Sequence, residues 1–210
     1  MGDSNTETKT GGALKMAIKV VMVGPEESKW KPEQIPKVKE EIGRIFVTEL
    51  WKFNAQQISP QRDYTGIILV SGHCPKGGVN IWAEEIADEL GIEKEIYPAE
   101  VNRWNDDISH QIEIGFGYKP ENPPEVRLKG CRSRNIQIAE ACDVLYCIVP
   151  KVYVHPDFIK DAEEMHAFKG SKRTIYCIHC NQFGHPSNGG CWTMKYAKKL
   201  GKETHLVVIE

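Results

Sequence analysis

The 210-residue sequence lacks any long apolar run. Its longest apolar strings, such as IILV at residues 67 to 70, are far shorter than the roughly 18 to 20 residues that a membrane-spanning helix needs. The amino-terminal stretch MGDSNTETKTGG also lacks the apolar segment of a secretion signal. We therefore expect a cytoplasmic protein with no membrane partner.

The sequence also lacks an excess of positive charge. Its 27 lysines and arginines are outnumbered by 29 aspartates and glutamates, which gives a formal net charge of -2. A protein that coats nucleic acid normally needs surplus lysine and arginine to displace counterions from the phosphates. Nucleic acid is therefore not the expected partner, although local basic patches remain compatible with this composition.

The sequence also lacks the even number of cysteines that a fully paired disulfide framework would need. The chain has seven, and it shows no signal for export to an oxidising compartment. A disulfide framework is consequently not expected. Metal ligation and simple burial are the two remaining explanations for these cysteines.

What the sequence does have is an alternation of strand-like and helix-like segments. Residues 1 to 14 are small and polar and are expected to form a disordered tail, while 15 to 210 are expected to form one domain. Most of the predicted strands contain continuous apolar runs, as is typical of a parallel sheet covered on both faces. They comprise residues 17–23, 66–72, 143–150 and 173–180, a short KEIYPA segment and the carboxyl-terminal THLVVIE. The expected fold is a three-layer α/β, Rossmann-like domain with helices on both faces, one of them near 156–169.

Glycines cluster in loops that follow the predicted strands. Open parallel sheets bind ligands beyond the carboxyl ends of their strands, where helix amino termini present free N–H groups. Gly24 follows the first strand and permits either close approach of a ligand or an ordinary turn. The second loop runs from Ser71 and Gly72 to Gly77 and Gly78, which fit either a phosphate-binding loop or a tight strand-to-helix turn.

Two further features fit a phosphate ligand at this edge. Lys76 in the second loop could add a positive charge. A third loop contains Asn188, Gly189 and Gly190 and leads into a helix whose first turn includes Thr193. The threonine hydroxyl could donate to a phosphate or cap the helix.

A cysteine and histidine cluster overlaps the third loop. Cys177, Cys180, His185 and Cys191 have the spacing C-x2-C-x4-H-x5-C, one residue longer than a zinc knuckle. Three thiolates and an imidazole suit tetrahedral Zn²⁺, and four protein ligands would make the site structural. His179 is a rival ligand, and Cys177 could instead be a buried strand residue.

These motifs resemble the SLOG superfamily, a Rossmann-like group that contains the Smf/DprA proteins and the lonely-guy phosphoribohydrolases. VGPEESKW stands where the stand-alone, YspA/YpsA-like branch has V-x-G-S-R, and SGHCPKGGVNIWAEEIADELG is similar to its G-G-A-x-G-A-D motif. RSRNIQIAEACDVLYCIVP resembles the family's Arg-Asn helix and the strand after it. The resemblance covers roughly residues 17–209.

The resemblance implies a nucleotide-like ligand and adds three residues to the predicted site. Arg134 would neutralise its negative charge, and Asn80 and Asn135 would contact ribose or base. Related scaffolds are often dimeric, so the resemblance also allows a homodimer.

The sequence differs from the family at the positions of its motif and catalytic residues. Asn80 replaces an aspartate, and residues 151 to 187 form an insertion before the last glycine pair. Where the lonely-guy enzymes have a glutamate, this chain has Lys195 or Tyr196, so no catalytic residue is assigned. Glu84 and Glu85 are expected on a solvated face of the second helix.

The sequence therefore predicts a nucleotide-binding domain with a structural zinc site. Two alternatives remain: a hydrolase of nucleoside 5′-monophosphates, which would need another carboxylate near the ribose, and a zinc-knuckle module that binds nucleic acid. The knuckle loop lacks the interleaved basic and aromatic residues expected for the second alternative.

Overall fold

The computed structural model of the protein describes residues 17–56, 66–100, 130–153 and 176–210. The predicted tail at 1–14, the helix near 156–169 and most of the insertion lie outside the described residues. None of the helices in the described part of the chain is both long enough and apolar enough to span a membrane.

A parallel sheet forms the centre of the molecule. In chain order the strands are β1 Ile18–Val23, β2 Ile67–Ser71, β3 Glu93–Ile96, β4 Val144–Pro150, β5 Tyr176–Cys177, β6 Gln182–Phe183 and β7 Glu203–Ile209. The central sheet has the order β3-β2-β1-β4-β7, and its neighbouring strands are all parallel. This order reverses direction between β1 and β4, as in doubly wound folds.

Four helices cover the sheet in the described residues: α1 Ile35–Ala55, α2 Val79–Leu90, α3 Cys131–Ala141 and α4 Gly189–Lys199. Successive strand residues point to opposite faces. Val20 and Met22 therefore pack with α1 and α2, whereas Val21 and Val23 pack with α3 and α4. Burial on both faces explains why β1 is apolar from Val20 to Val23. The three-layer α/β, Rossmann-like prediction is confirmed.

The predicted strand at 173–180 is wrong in its described part. Only Tyr176–Cys177 is extended, and it pairs antiparallel with Gln182–Phe183 in a separate two-stranded sheet. The backbone turns after Cys177, and Asn181 has a φ of 55°. This hairpin returns the chain so that Cys180 lies beside Cys177 instead of continuing along a central strand.

Candidate functional site

The first and third glycine loops meet beyond the carboxyl ends of β1 and β4. A Cβ atom added to Gly190 would lie 2.8 Å from the amide nitrogen of Gly24, and one added to Gly24 would lie 2.4 Å from the carbonyl oxygen of Ile148. Only residues without a side chain permit these approaches. The reversal point of the sheet is therefore lined by backbone from three separate segments.

The second loop has acidic neighbours. Gly77 and Gly78 have φ angles of 72° and 90°, and a Cβ atom on Gly77 would lie 2.6 Å from Oε2 of Glu27. The Lys76 ammonium lies 3.4 Å from the carboxylate of Glu26. A phosphate held by this turn would face two carboxylates, so electrostatics favour a position near Gly24 and Gly190 at the carboxyl edge of the sheet.

Arg134 and Asn135 connect the second and third loops. Arg134 is 8% exposed, and its guanidinium donates to the carbonyl oxygen of Gly72 at 3.2 Å and to Oδ1 of Asn135 at 3.2 Å. The Asn135 amide in turn donates to the carbonyl oxygen of Gly189 at 3.4 Å. No carboxylate forms an ion pair with Arg134 in the described parts of the chain. The guanidinium charge is therefore buried among neutral acceptors.

Other side chains of the predicted site form hydrogen bonds with backbone groups of the same chain. The Asn80 amide donates to the carbonyl oxygen of Met22 at 3.3 Å, behind the first loop. Asn188 caps α4 by accepting from the amide of Cys191 at 2.9 Å. The Thr193 hydroxyl donates to the carbonyl oxygen of Gly189 at 2.7 Å, which is the structural alternative considered for it. These side chains hold the loops in place, and the ligand contacts predicted for them remain predictions.

Glu84 lies in a buried polar cluster, so the expectation of a solvated face is wrong for this residue. It is 7% exposed, accepts a hydrogen bond from the Ser71 hydroxyl at 2.5 Å and bonds Nδ1 of His73 at 2.8 Å. The expectation is right for Glu85, which forms a surface ion pair with Lys39 at 2.7 Å. Helical spacing places Glu84 one turn after the buried Asn80, but it does not identify the partners that allow a carboxylate to be buried there.

The cysteine and histidine cluster predicted from spacing is present. The ligand atoms of Cys177, Cys180, His185 and Cys191 all lie within 4.8 Å of one another. The set contains His185 and not the rival His179. Nε2 of His185 is buried and has no hydrogen-bond partner in the described structure. An imidazole nitrogen without a partner, surrounded by three sulfurs, fits a site that could hold a metal ion.

The electrostatics of the cluster also fit a cation. Hydrogen bonds from Cys180 and Cys191 lower the pKa of Cys177, and the hydrogen bond with Cys177 raises the pKa of Cys180. Burial acts to lower the pKa of His185, but the hydrogen bond with the neighbouring Cys177 thiolate and the negative charge of that thiolate raise it to about 10. Without a metal the cluster thus favours one thiolate and a charged imidazole. A divalent cation would let all three sulfurs ionise together.

The outer face of α4 carries a surface that the sequence reasoning missed. Trp192 stacks on Tyr196 with ring centroids 5.5 Å apart, and the Arg132 guanidinium lies 5.5 Å from the Trp192 centroid. A cavity of about 370 Å³ beside these rings is lined by Ile178, His179, Trp192, Lys195, Tyr196 and Lys199. The basic and aromatic residues lie on the helix after the knuckle loop. The spacing of Trp192 and Tyr196, and of Lys195 and Lys199, by one helical turn was the signal in the sequence that could have predicted this surface.

Comparisons with known proteins give a limited result. No family model matches the chain. No curated protein matches it either. Among solved structures, DNA processing protein A (DprA) from Streptococcus pneumoniae aligns with a TM-score of 0.37 and 16% sequence identity, over 92% of this chain and 60% of the DprA chain. This chain thus spans about 60% of the length of that protein. DprA bears the name of the Smf/DprA proteins, one of the groups that the sequence motifs resemble.

Proposed function

We propose that the chain binds a nucleotide or nucleotide-derived ligand at the carboxyl edge of the sheet, with its phosphate at Arg134. The observation that carries this proposal is that Arg134 is 8% exposed and its guanidinium is bonded only to neutral acceptors among the described residues. An arginine is always charged, and a buried charge is costly unless an opposite charge compensates it. A phosphate would supply that charge and accept from the planar guanidinium through two oxygens.

The amino terminus of α4 supports the same position for the anion. Asn188 satisfies the amide of Cys191, whereas no described residue accepts from the amides of Gly189 and Gly190. Unpaired N–H groups at a helix amino terminus carry partial positive charge and bind anions. Asn135 links Arg134 to Gly189, so both kinds of donor lie on the same side of the crevice.

Zinc is the metal that fits the cysteine and histidine cluster. Three thiolates and one imidazole are a tetrahedral donor set typical of structural zinc, and four protein ligands leave no position for a substrate. Cys177 and Cys180 belong to the hairpin region and Cys191 to the first turn of α4. The proposed role is to fix the hairpin against α4 and thereby the position of Gly189 and Gly190.

Replacing Arg134 with glutamine tests the nucleotide proposal. Native mass spectrometry should first identify any ligand that remains bound through purification, and calorimetry should then measure binding of a panel of 5′-nucleotides and inorganic phosphate. We expect Arg134→Gln to weaken binding by roughly 10- to 100-fold, because a charge-assisted hydrogen bond contributes about 1.5 to 3 kcal/mol.

Arg132→Gln is the matched control for this experiment. It removes an exposed arginine from the same helix, over the ring of Trp192, and should leave nucleotide affinity unchanged. Circular dichroism establishes that both variants are folded. Equal affinity of folded Arg134→Gln and wild type, or no binding of any panel member by wild type, would contradict the proposal.

Binding of single-stranded nucleic acid is a second candidate, favoured by the outer face of α4. Stacked aromatic rings beside lysines are the usual means by which proteins hold unpaired bases and their phosphates. The outer face of α4 has both features: the aromatic rings are Trp192 and Tyr196, and the lysines are Lys195 and Lys199.

Fluorescence anisotropy with labelled single-stranded oligonucleotides tests this candidate. Binding of single-stranded nucleic acid requires an affinity that falls steeply as the salt concentration rises. It also requires that Trp192→Ala weaken binding by about 1 to 3 kcal/mol, the effect of losing one stacking ring. Trp51→Ala is the control, since Trp51 is 72% exposed on α1. A flat titration at low salt, or equal loss in both variants, would remove the candidate.

A further inference from the structure

The buried cluster at the end of β2 holds a histidine in one tautomer. Both carboxylate oxygens of Glu84 are bonded, Oε1 to the Ser71 hydroxyl at 2.5 Å and Oε2 to Nδ1 of His73 at 2.8 Å. An ionised carboxylate can only accept, so Nδ1 carries a proton and, in the neutral ring, Nε2 has a free lone pair. The His73 side chain is 54% exposed, whereas the Glu84 side chain is 10% exposed. The ring is therefore fixed from the interior and accessible from solvent.

The backbone of His73 is unusual as well. Its φ is 44°, in the left-handed region that residues with a side chain seldom adopt, and its amide donates to the Ser71 hydroxyl oxygen at 3.3 Å. Such conformations cost free energy, persist only when surrounding contacts impose them, and concentrate at functional sites. Ser71 is 1% exposed and its hydroxyl donates to Glu84, so it is not available as a nucleophile.

His73 lies in the same loop as the residue that Arg134 contacts. It directly follows Gly72, whose carbonyl oxygen accepts from the Arg134 guanidinium at 3.2 Å. A phosphate held by Arg134 would thus lie next to the loop that carries the imidazole. The anomeric carbon of a bound nucleotide lies several bonds further from its phosphate. Proximity therefore favours chemistry at phosphorus over cleavage of the bond between sugar and base.

We infer that His73, positioned by Glu84, is the general base in hydrolysis of a phosphoester bound at the carboxyl edge of the sheet. This inference rests on the proposed function, because Arg134 has to hold the phosphate. Nε2 of His73 takes a proton from a water molecule while the water oxygen forms a bond to phosphorus. The bond from phosphorus to the ester oxygen breaks, and that oxygen leaves with the electron pair and receives the proton from His73. Arg134 stabilises the negative charge on the phosphoryl oxygens, and Glu84 stabilises the charged imidazole.

Hydrolysis assays on defined phosphoesters test the inference. The probes are bis(p-nitrophenyl) phosphate, p-nitrophenyl phosphate and 5′-nucleotides, with nitrophenolate, inorganic phosphate and free base measured separately. His73→Asn should lower kcat by roughly 100-fold or more, the usual contribution of a general base. Asparagine is chosen because it tolerates positive φ. His205→Asn is the matched control, since His205 bonds Glu203 at 2.7 Å in the amino-terminal half of β7, and it should retain full activity.

Two further variants separate catalysis from folding. His73→Gly suits the φ of 44°, and added imidazole should restore part of its activity. Glu84→Gln should lower kcat, and nitrogen-15 NMR should show that the His73 ring no longer holds the single Nδ1–H tautomer. A purely structural role of Glu84 would lower stability without changing the tautomer of a folded variant.

The outcomes distinguish this inference from the proposed function. Arg134-dependent binding of phosphate or nucleotide without hydrolysis of any probe would overturn the role of His73 and leave the nucleotide proposal intact. Full hydrolysis by His73→Asn would also overturn it, and release of free base in place of phosphate would overturn the phosphoester assignment. If wild type binds neither inorganic phosphate nor any nucleotide, both proposals fail.

Discussion

Cys180→Ser is expected to purify without stoichiometric zinc and with a much lower free energy of unfolding. Structural zinc in small peptides contributes on the order of 10 kcal/mol to folding. Here the cluster is added to a packed sheet, and we expect a loss of about 4 kcal/mol, near the upper end for single substitutions. For a chain of this size that corresponds to a decrease in Tm of about 8 to 16 °C. Elemental analysis and thermal denaturation measure the two effects.

Cys74→Ser provides the control for that substitution. Like Cys180, Cys74 is a half-buried free cysteine, but it lies in the second glycine loop outside the cluster. It should keep its zinc and change Tm by little. A chelator should lower the Tm of wild type and of Cys74→Ser, but not of Cys180→Ser. Wild type that contains no metal, or Cys180→Ser with an unchanged Tm, would contradict the zinc assignment.

Gly78→Ala is expected to destabilise the protein by about 3 kcal/mol, because it combines a backbone penalty with a steric clash. The residue has a φ of 90°, and an added Cβ atom would lie 2.4 Å from the carbonyl oxygen of Pro25. Backbone at this position cannot rotate away as a side chain can. The substitution should therefore push the first loop away from the start of α2. Urea denaturation followed by circular dichroism measures the loss.

Two other glycines separate the contributions. Gly91 has a φ of 68° but open space around it, so Gly91→Ala should cost only about 1 kcal/mol of conformational strain. Gly43 lies within α1 with nothing within 4 Å of an added Cβ atom, and Gly43→Ala should stabilise the protein by about 1 kcal/mol. An effect of Gly78→Ala no larger than that of Gly91→Ala would show that the loops can separate without cost.

The sequence was sufficient to predict the layers of the fold. Its apolar runs are buried on alternating faces of the sheet, as in β1. The cysteine and histidine cluster was predictable for a similar reason, since three of its ligands are close in sequence and the fourth begins a helix. Local patterns with fixed geometry are the part of a structure that sequence determines most directly.

Contacts between distant segments were not predictable in the same way. Glu26 and Glu27 face the turn at Gly77 because two loops from different strands meet there. Glu84 is buried because Ser71 and His73 from the preceding strand and loop give its carboxylate two partners. A glutamate without such partners would be exposed, and helical periodicity cannot supply the partners.

The loops that meet beyond β1 and β4 come from distant parts of the chain, which affects when the proposed site can form. Gly24 comes from near the start of the described chain and Gly190 from near its end, with Arg134 between them in sequence. No early segment contains all the parts of the proposed anion site. Contacts between such distant residues form slowly, since closing a long loop costs entropy before any contact compensates for it. During synthesis, the crevice can therefore assemble only after α4 has left the ribosome.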